Sequence, residues 1–166
     1  MNKHTKRITT YGLLIGLALV FSYIEFLIPI SFAVPGIKLG LGNIVVVVAL
    51  YKMDYKSAFI IDVVRIILVG LLFYNGASFM YSLAGGLLSF IIMALLKRSD
   101  KFALVTVSIC GGIFHNVGQI LMAMVLLSSA SIGYYLVILW FTGLATGLVI
   151  GIVSAEITKR LPDLKL

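Results

Sequence analysis

Six apolar segments, separated by short polar connections, restrict how this chain can fold more than any other feature. They cover residues 8–28, 41–51, 57–73, 79–96, 102–127 and 133–157 of 166. Hydrophobic residues make up 61% of the chain and the mean hydropathy is +1.16, which exceeds what a soluble domain of this length can bury. A membrane-spanning helix needs about 20 residues. We therefore predict an all-α integral membrane protein, a single domain over residues 1–166 with six transmembrane helices.

The second segment, 41–51, is too short to span a membrane unless the glycine-rich stretch before it continues the helix. That stretch, VPGIKLGLGN at residues 34–43, combines a proline and three glycines with one lysine. Each of these residues weakens a membrane helix, so we expect irregular backbone here. Irregular backbone at membrane depth is tolerated where it is buried in protein or lines a cavity.

The basic residues predict the orientation of the helices. With the amino terminus inside, 11 of the 13 lysines and arginines fall on the inner side: Lys3, Lys6, Arg7, Lys52, Lys56, Lys97, Arg98, Lys101, Lys159, Arg160 and Lys165. Lys38 alone lies outside, and Arg65 lies within a helix. Cytoplasmic loops of membrane proteins carry such an excess. We therefore expect both termini in the cytoplasm, at the plasma membrane, and the net charge of +7 does not require nucleic-acid binding.

Small residues recur every four positions in the first and last segments, a spacing that lets membrane helices approach closely. The last segment carries Gly143, Gly147, Gly151 and Ala155, which predict packing inside the bundle. The first carries Gly12 and Gly16, which serve either internal packing or contact with a partner protein.

Polar side chains within the apolar segments are costly unless they are paired, so each needs a reason. Asp62 and Arg65 are three residues apart on one helix face. They form either a structural ion pair, which needs no third group, or a guanidinium offered to an anionic ligand. The sequence leaves both possibilities open, with the structural pair favoured.

A second polar group lies in the stretch FHNVGQI of the fifth segment, where glycines flank the polar side chains. We predict a ligand-lining face there, in the outer half of the membrane. The candidate substrate-binding residues are Lys38, Asn43, Arg65, Asn75, His115, Asn116 and Gln119. Glu25, near the outer end of the first segment, either faces water at the interface or has another role that the sequence does not specify.

The sequence lacks the motifs of several catalytic classes. It has no metal-ligand cluster, no phosphate-binding GxxxxGK[ST] loop and no aspartate-rich run of the kind that holds magnesium diphosphates. We therefore expect no catalysis, no metal and no cofactor.

Four stretches resemble a known family of small membrane proteins. They are PGIKLGLGNIVVVVALY, SLAGGLLSFIIMALLKR, FHNVGQ and GLATGLVIG, within a similarity that covers about residues 11–157. The family is the Gx transporter family, also labelled heptaprenyl diphosphate synthase component I, and it resembles the substrate-binding S components of energy-coupling factor (ECF) transporters.

The resemblance implies uptake of a small vitamin-like or quinone or isoprenoid precursor. The expected partners are a transmembrane coupling subunit and two ATP-binding cassette ATPases. It further implies that the loop between helices one and two covers the substrate, and that Gly12 and Gly16 contact the coupling subunit. Lys38 would then either meet an acidic group of the substrate or extend to lipid phosphates. In the family this contact is often made by alanines, from which the two glycines depart. An alternative is an accessory membrane subunit of polyprenyl diphosphate or quinone metabolism that binds an isoprenoid without catalysis. A self-sufficient channel or carrier is a third possibility.

Overall fold

The protein, as a computed structural model that describes residues 2–28, 39–73 and 75–164, is a bundle of helices. All regular secondary structure in these ranges is helical. The helices are α1 (Lys3–Leu27), α2 (Asn43–Lys52), α3 (Tyr55–Phe73), α4 (Gly76–Arg98), α5 (Leu104–Leu126) and α6 (Leu136–Arg160), with a 3₁₀ helix (Ala130–Tyr135) leading into α6.

Four of these helices, α1, α4, α5 and α6, are long and apolar enough to cross a membrane. The prediction of an all-α membrane protein therefore holds. Helix α3 has 19 residues but contains Asp62 and Arg65. Helix α2 has 10 residues and is about 15 Å long. Six membrane crossings thus remain a prediction.

Helix α2 lies at the centre of the bundle. Residues 43–50 are all buried, and the valines at 45–47 are at most 2% exposed. They pack with Leu14 of α1, Ile61 of α3, Met93 of α4, Val107 of α5 and Ile150 of α6. A helix that is apolar on every side is buried all round. The run of valines therefore remains helical, despite their modest helix propensity, because the surrounding helices enclose it.

Glycines set the closest helix contacts. A Cβ placed on Gly147 of α6 would lie 2.7 Å from Ile109 Cα of α5, and one on Gly143 would lie 2.8 Å from Gly112 O. On the opposite side of α5, a Cβ on Gly118 would lie 2.6 Å from Ala84 O of α4. The predicted internal packing of the α6 glycines is confirmed, and α5 is held between α4 and α6 at backbone distance.

The basic segments meet at one end of the bundle, which we call the basic end. The Lys97 ammonium at the end of α4 donates a hydrogen bond to Leu50 O near the end of α2. After α6, Leu164 N donates to Lys52 O at 2.9 Å. Tyr11 of α1 donates to the Ser57 hydroxyl at the start of α3. These contacts join the loops and helix ends that the distribution of lysines and arginines assigns to the cytoplasmic side.

Candidate functional site

An ion pair on α3 lies at the centre of the polar cluster within the bundle. Arg65 Nη2 donates to Asp62 Oδ1 at 2.6 Å, and the side chains are 7% and 1% exposed. The same Nη2 donates to Asn43 Oδ1, at the start of α2, at 2.9 Å. Asn43 is itself buried. The pair therefore joins α3 to the first turn of α2.

A small cavity of about 20 Å³ lies beside Arg65. Its lining comes from α1, α3, α4, α5 and the segment before α2: Ser22, Glu25, Gly40, Arg65, Ile66, Val69, Ser82 and His115. A polar space of this size holds about one water molecule. The cavity is therefore where polar side chains from α1, α3, α4 and α5 converge beside the backbone of Gly40.

Glu25 binds the chain as it enters α2. Its two carboxylate oxygens accept hydrogen bonds from Gly40 N at 2.7 Å and Leu41 N at 3.0 Å. Ser22 lies one turn earlier on α1 and is 3% exposed. Glu25 therefore belongs to the polar cluster. Ser22 and Glu25 are three residues apart and therefore share one face of α1, and this spacing is the sequence pattern that could have indicated the contact.

Two glycines allow the backbone to approach these side chains. Gly40 has φ +82°, and a Cβ there would lie 2.8 Å from Asn43 Nδ2 and 3.5 Å from His115 Nε2. A Cβ on Gly42 would lie 2.7 Å from Arg65 Nη1. Any larger residue at these two positions would displace the side chains around the cavity. The absence of a side chain at these glycines therefore allows the cavity to form.

One polar atom of this cluster lacks a partner. Arg65 Nε is buried and has no hydrogen-bond acceptor among the described residues. An unsatisfied buried donor costs about 1–3 kcal/mol, and more when the group is charged. This N–H is therefore available to an oxygen atom of a bound molecule.

His115 and Gln119 of α5 lie against α4. A Cβ on Gly85 would lie 2.7 Å from His115 O and 2.9 Å from Gln119 Cγ. The exposed fractions are 4% for His115 and 0% for Gln119. The structure brings His115 to the cavity together with Arg65. The cavity lining includes neither Gln119 nor Asn43, which is tied to the site by the hydrogen bond that it accepts from Arg65.

The two other asparagines predicted to line the site have structural partners elsewhere. Asn116 Nδ2 donates to Leu139 O at 2.6 Å and to Thr142 Oγ1 at 3.2 Å, so this side chain joins α5 to α6. Asn75 caps α4, where its Oδ1 accepts from Ser78 N at 2.9 Å. Neither asparagine reaches the cavity, because each faces a different neighbour.

Two further predictions concern the loop and α1. Lys38 lies outside the described residues, as does most of the stretch predicted to cover a substrate. Gly12 and Gly16 lie on the exposed side of α1, where a Cβ on either would meet nothing within 4 Å in the part of the chain that the structure describes. The buried face of α1 is instead formed by Leu14, Ala18 and Ser22. The glycines of α1 thus do not pack inside this bundle.

A separate group of ionisable side chains, at the basic end, is structural. Asp54 accepts hydrogen bonds from the Ser57 hydroxyl and the Ser57 N–H, both at 2.7 Å. The hydroxyl bond is the main cause that lowers the pKa of Asp54 below its ordinary value of 3.8. Arg7 lowers it further. Within the described ranges no three His, Cys, Asp or Glu side chains are placed to hold a metal ion.

Comparison with known proteins identifies the family. The family model described as heptaprenyl diphosphate synthase component I matches residues 14–157, most of the chain. No curated protein and no solved structure matches significantly. The matched region contains α2 to α5 in full, most of α1 and α6, and every residue that lines the cavity. The chain therefore belongs to the heptaprenyl diphosphate synthase component I family.

Proposed function

We propose that this protein is the substrate-binding component of an ECF transporter and takes up a small vitamin-like or quinone or isoprenoid precursor. The observation that carries the proposal is the buried cluster around Arg65, whose Nε–H has no acceptor among the described residues and lies in a side chain that lines a polar cavity. A purely structural ion pair gains nothing from such a donor. A ligand carbonyl, carboxylate or phosphate oxygen would satisfy it, and the charge of the guanidinium would strengthen the bond.

Ligand binding requires the cavity to widen. Its volume of about 20 Å³ is far below the roughly 300–1,000 Å³ of small-molecule sites. Part of the wall is the non-helical chain that leads into α2, which Glu25 holds through Gly40 and Leu41. This wall belongs to the stretch that the sequence predicts to cover the substrate, so we propose that the described residues 39–42 move to admit it.

The exposed glycine face of α1 supports a partner. In lipid, close approach of two helices depends on small residues that let backbones touch. Gly12 and Gly16 present such a face without being used inside the bundle. We propose that it contacts the transmembrane coupling subunit, which in turn binds the two ATPases. The protein would then have no catalytic role. It would lie in the plasma membrane with both termini in the cytoplasm.

Complex formation tests this proposal. Gly16→Leu should abolish co-purification with the coupling subunit and ATPases, and with it transport. The melting temperature of the isolated protein should not change, because the new side chain meets open space. Ala145→Leu, which places a leucine on the exposed side of α6, is the matched control and should retain the complex. A wild-type protein that never co-purifies with an ECF coupling module would refute the proposal.

The family description favours a second candidate, an accessory membrane subunit of polyprenyl diphosphate or quinone metabolism that binds an isoprenoid. A thermal-shift screen separates the two, because a ligand that binds the folded state raises its apparent stability. Stabilisation by prenyl compounds, together with co-purification of a prenyl-transferring enzyme in place of ATPases, would favour the accessory subunit.

A further inference from the structure

An apolar groove lies between α3 and α4, towards the basic end and separate from the cavity beside Arg65. Its volume is about 510 Å³, within the range of sites that hold small molecules. It is lined by Tyr55, Phe59, Phe90, Ile91, Ala94, Leu95 and Arg98. The lining contains one positive charge and no carboxylate.

The groove exists because the residues between α3 and α4 change in size along the two helices. Farther from the basic end, a small residue of α4 packs against a large residue of α3: a Cβ on Gly86 would lie 2.5 Å from Ile66 Cδ1. Near the basic end two aromatic rings meet instead, with the Phe59 and Phe90 centroids 5.2 Å apart and the rings tilted. Phe90 is buried and Phe59 is 39% exposed. Together they form an aromatic floor that is open to the surroundings of the bundle.

Positive charge gathers where this groove reaches the basic end. Arg98, in the last turn of α4, is exposed and has no ion-pair partner in the parts of the chain that the structure describes. The Lys97 ammonium lies 4.6 Å from the centre of the Tyr55 ring, one of the groove walls. The groove thus has an apolar length and a cationic end.

We propose that this groove binds one acyl chain of an anionic membrane phospholipid, with the lipid phosphate bound by Arg98. The chain contacts the rings of Phe59 and Phe90 and the aliphatic side chains of α4. The phosphate accepts charge-assisted hydrogen bonds from the guanidinium. The bilayer supplies this ligand at high local concentration, and the charge at the groove end selects an anionic headgroup over a zwitterionic one. The inference does not depend on the transport proposal.

Native mass spectrometry of the full chain in an uncharged detergent tests the site with two probes. These are dioleoyl-phosphatidylglycerol and dioleoyl-phosphatidylcholine, which differ only in the headgroup. We expect phosphatidylglycerol, which has a net negative charge, to bind about fivefold more tightly than the zwitterionic phosphatidylcholine, the effect of roughly one basic side chain near an anionic lipid. Arg98→Gln should remove this preference. Ala94→Phe, which fills the groove, should weaken the binding of both lipids.

The matched control is Arg160→Gln. Arg160 also ends its helix near the basic end, but it is paired with Glu156 at 2.7 Å and lies away from the groove. This variant should retain the wild-type preference. Equal binding of the two lipids to the wild type, or an equal loss in Arg160→Gln and Arg98→Gln, would overturn the proposal. Folded Ala94→Phe protein that binds both lipids as the wild type does would also overturn it. Because Arg98 is exposed, its variant provides a test even if Ala94→Phe does not fold.

Discussion

The buried pair on α3 permits a direct test of whether its charges serve the fold alone. Asp62→Asn preserves the shape of the side chain but leaves the Arg65 guanidinium buried without a counter-charge. Arg65→Gln leaves the Asp62 carboxylate in the same situation. With side chains 7% and 1% exposed and the charged atoms 2.6 Å apart, water cannot screen the remaining charge. Each single variant should therefore lose about 3–5 kcal/mol of unfolding free energy.

The double variant should be more stable than either single variant. It carries no uncompensated charge, and its amides face at most the cost of imperfect hydrogen bonding, about 1–3 kcal/mol. The double-mutant cycle should then show a coupling of at least about 3 kcal/mol between the two positions. If Arg65 also binds a ligand, the double variant should fold and yet fail to bind a ligand found by thermal-shift screening.

Unfolding in mixed micelles of increasing SDS content, followed by far-ultraviolet circular dichroism, measures these free energies. The exposed pair Glu156–Arg160 provides the matched cycle. Its atoms are also close, at 2.7 Å, but the side chains are 53% and 78% exposed, so the coupling should not exceed about 0.5 kcal/mol. Additive losses at Asp62 and Arg65, or a coupling as small as in the control cycle, would contradict the claim that burial makes the two charges strongly dependent on each other. If the double variant binds the ligand normally, the pair has only a structural role.

Three other predictions follow from the packing, the titration and the topology. Gly147→Ala should destabilise the protein by about 1–3 kcal/mol, because its Cβ would lie 2.7 Å from Ile109 Cα, whereas Gly16→Ala on the open face of α1 should not. Since the pKa of Asp54 is lowered in the folded state, its stabilising effect should be complete above about pH 4 and disappear as the pH falls through the folded pKa. Melting curves of Asp54→Asn should lack that acid-dependent component, and a persistent one would contradict the assignment. After replacement of Cys110, Ser131→Cys should react with an impermeant reagent from outside and Asp100→Cys should not. The reverse pattern would contradict the inferred orientation.

Membrane embedding and the helical segments could be predicted from the amino-acid sequence. Hydropathy is a local property, and an apolar run in lipid must satisfy its own backbone hydrogen bonds, which a helix does. The glycine spacing of α6 also predicted a closely packed face, and the structure shows that this face meets α5. Both predictions required only the composition of a single segment and the spacing of its small residues.

The contacts between polar groups, in contrast, depend on how the helices pack against one another. His115 and Asn116 are adjacent, but one helical step turns them about 100° apart. His115 therefore reaches the cavity beside Arg65, and Asn116 reaches α6. Glu25 joined the cluster because the chain returns past α1 on its way into α2, a contact across 15 residues of sequence. The rotation of each helix about its axis is set by the packing of all its neighbours, and this information does not reside in any one segment.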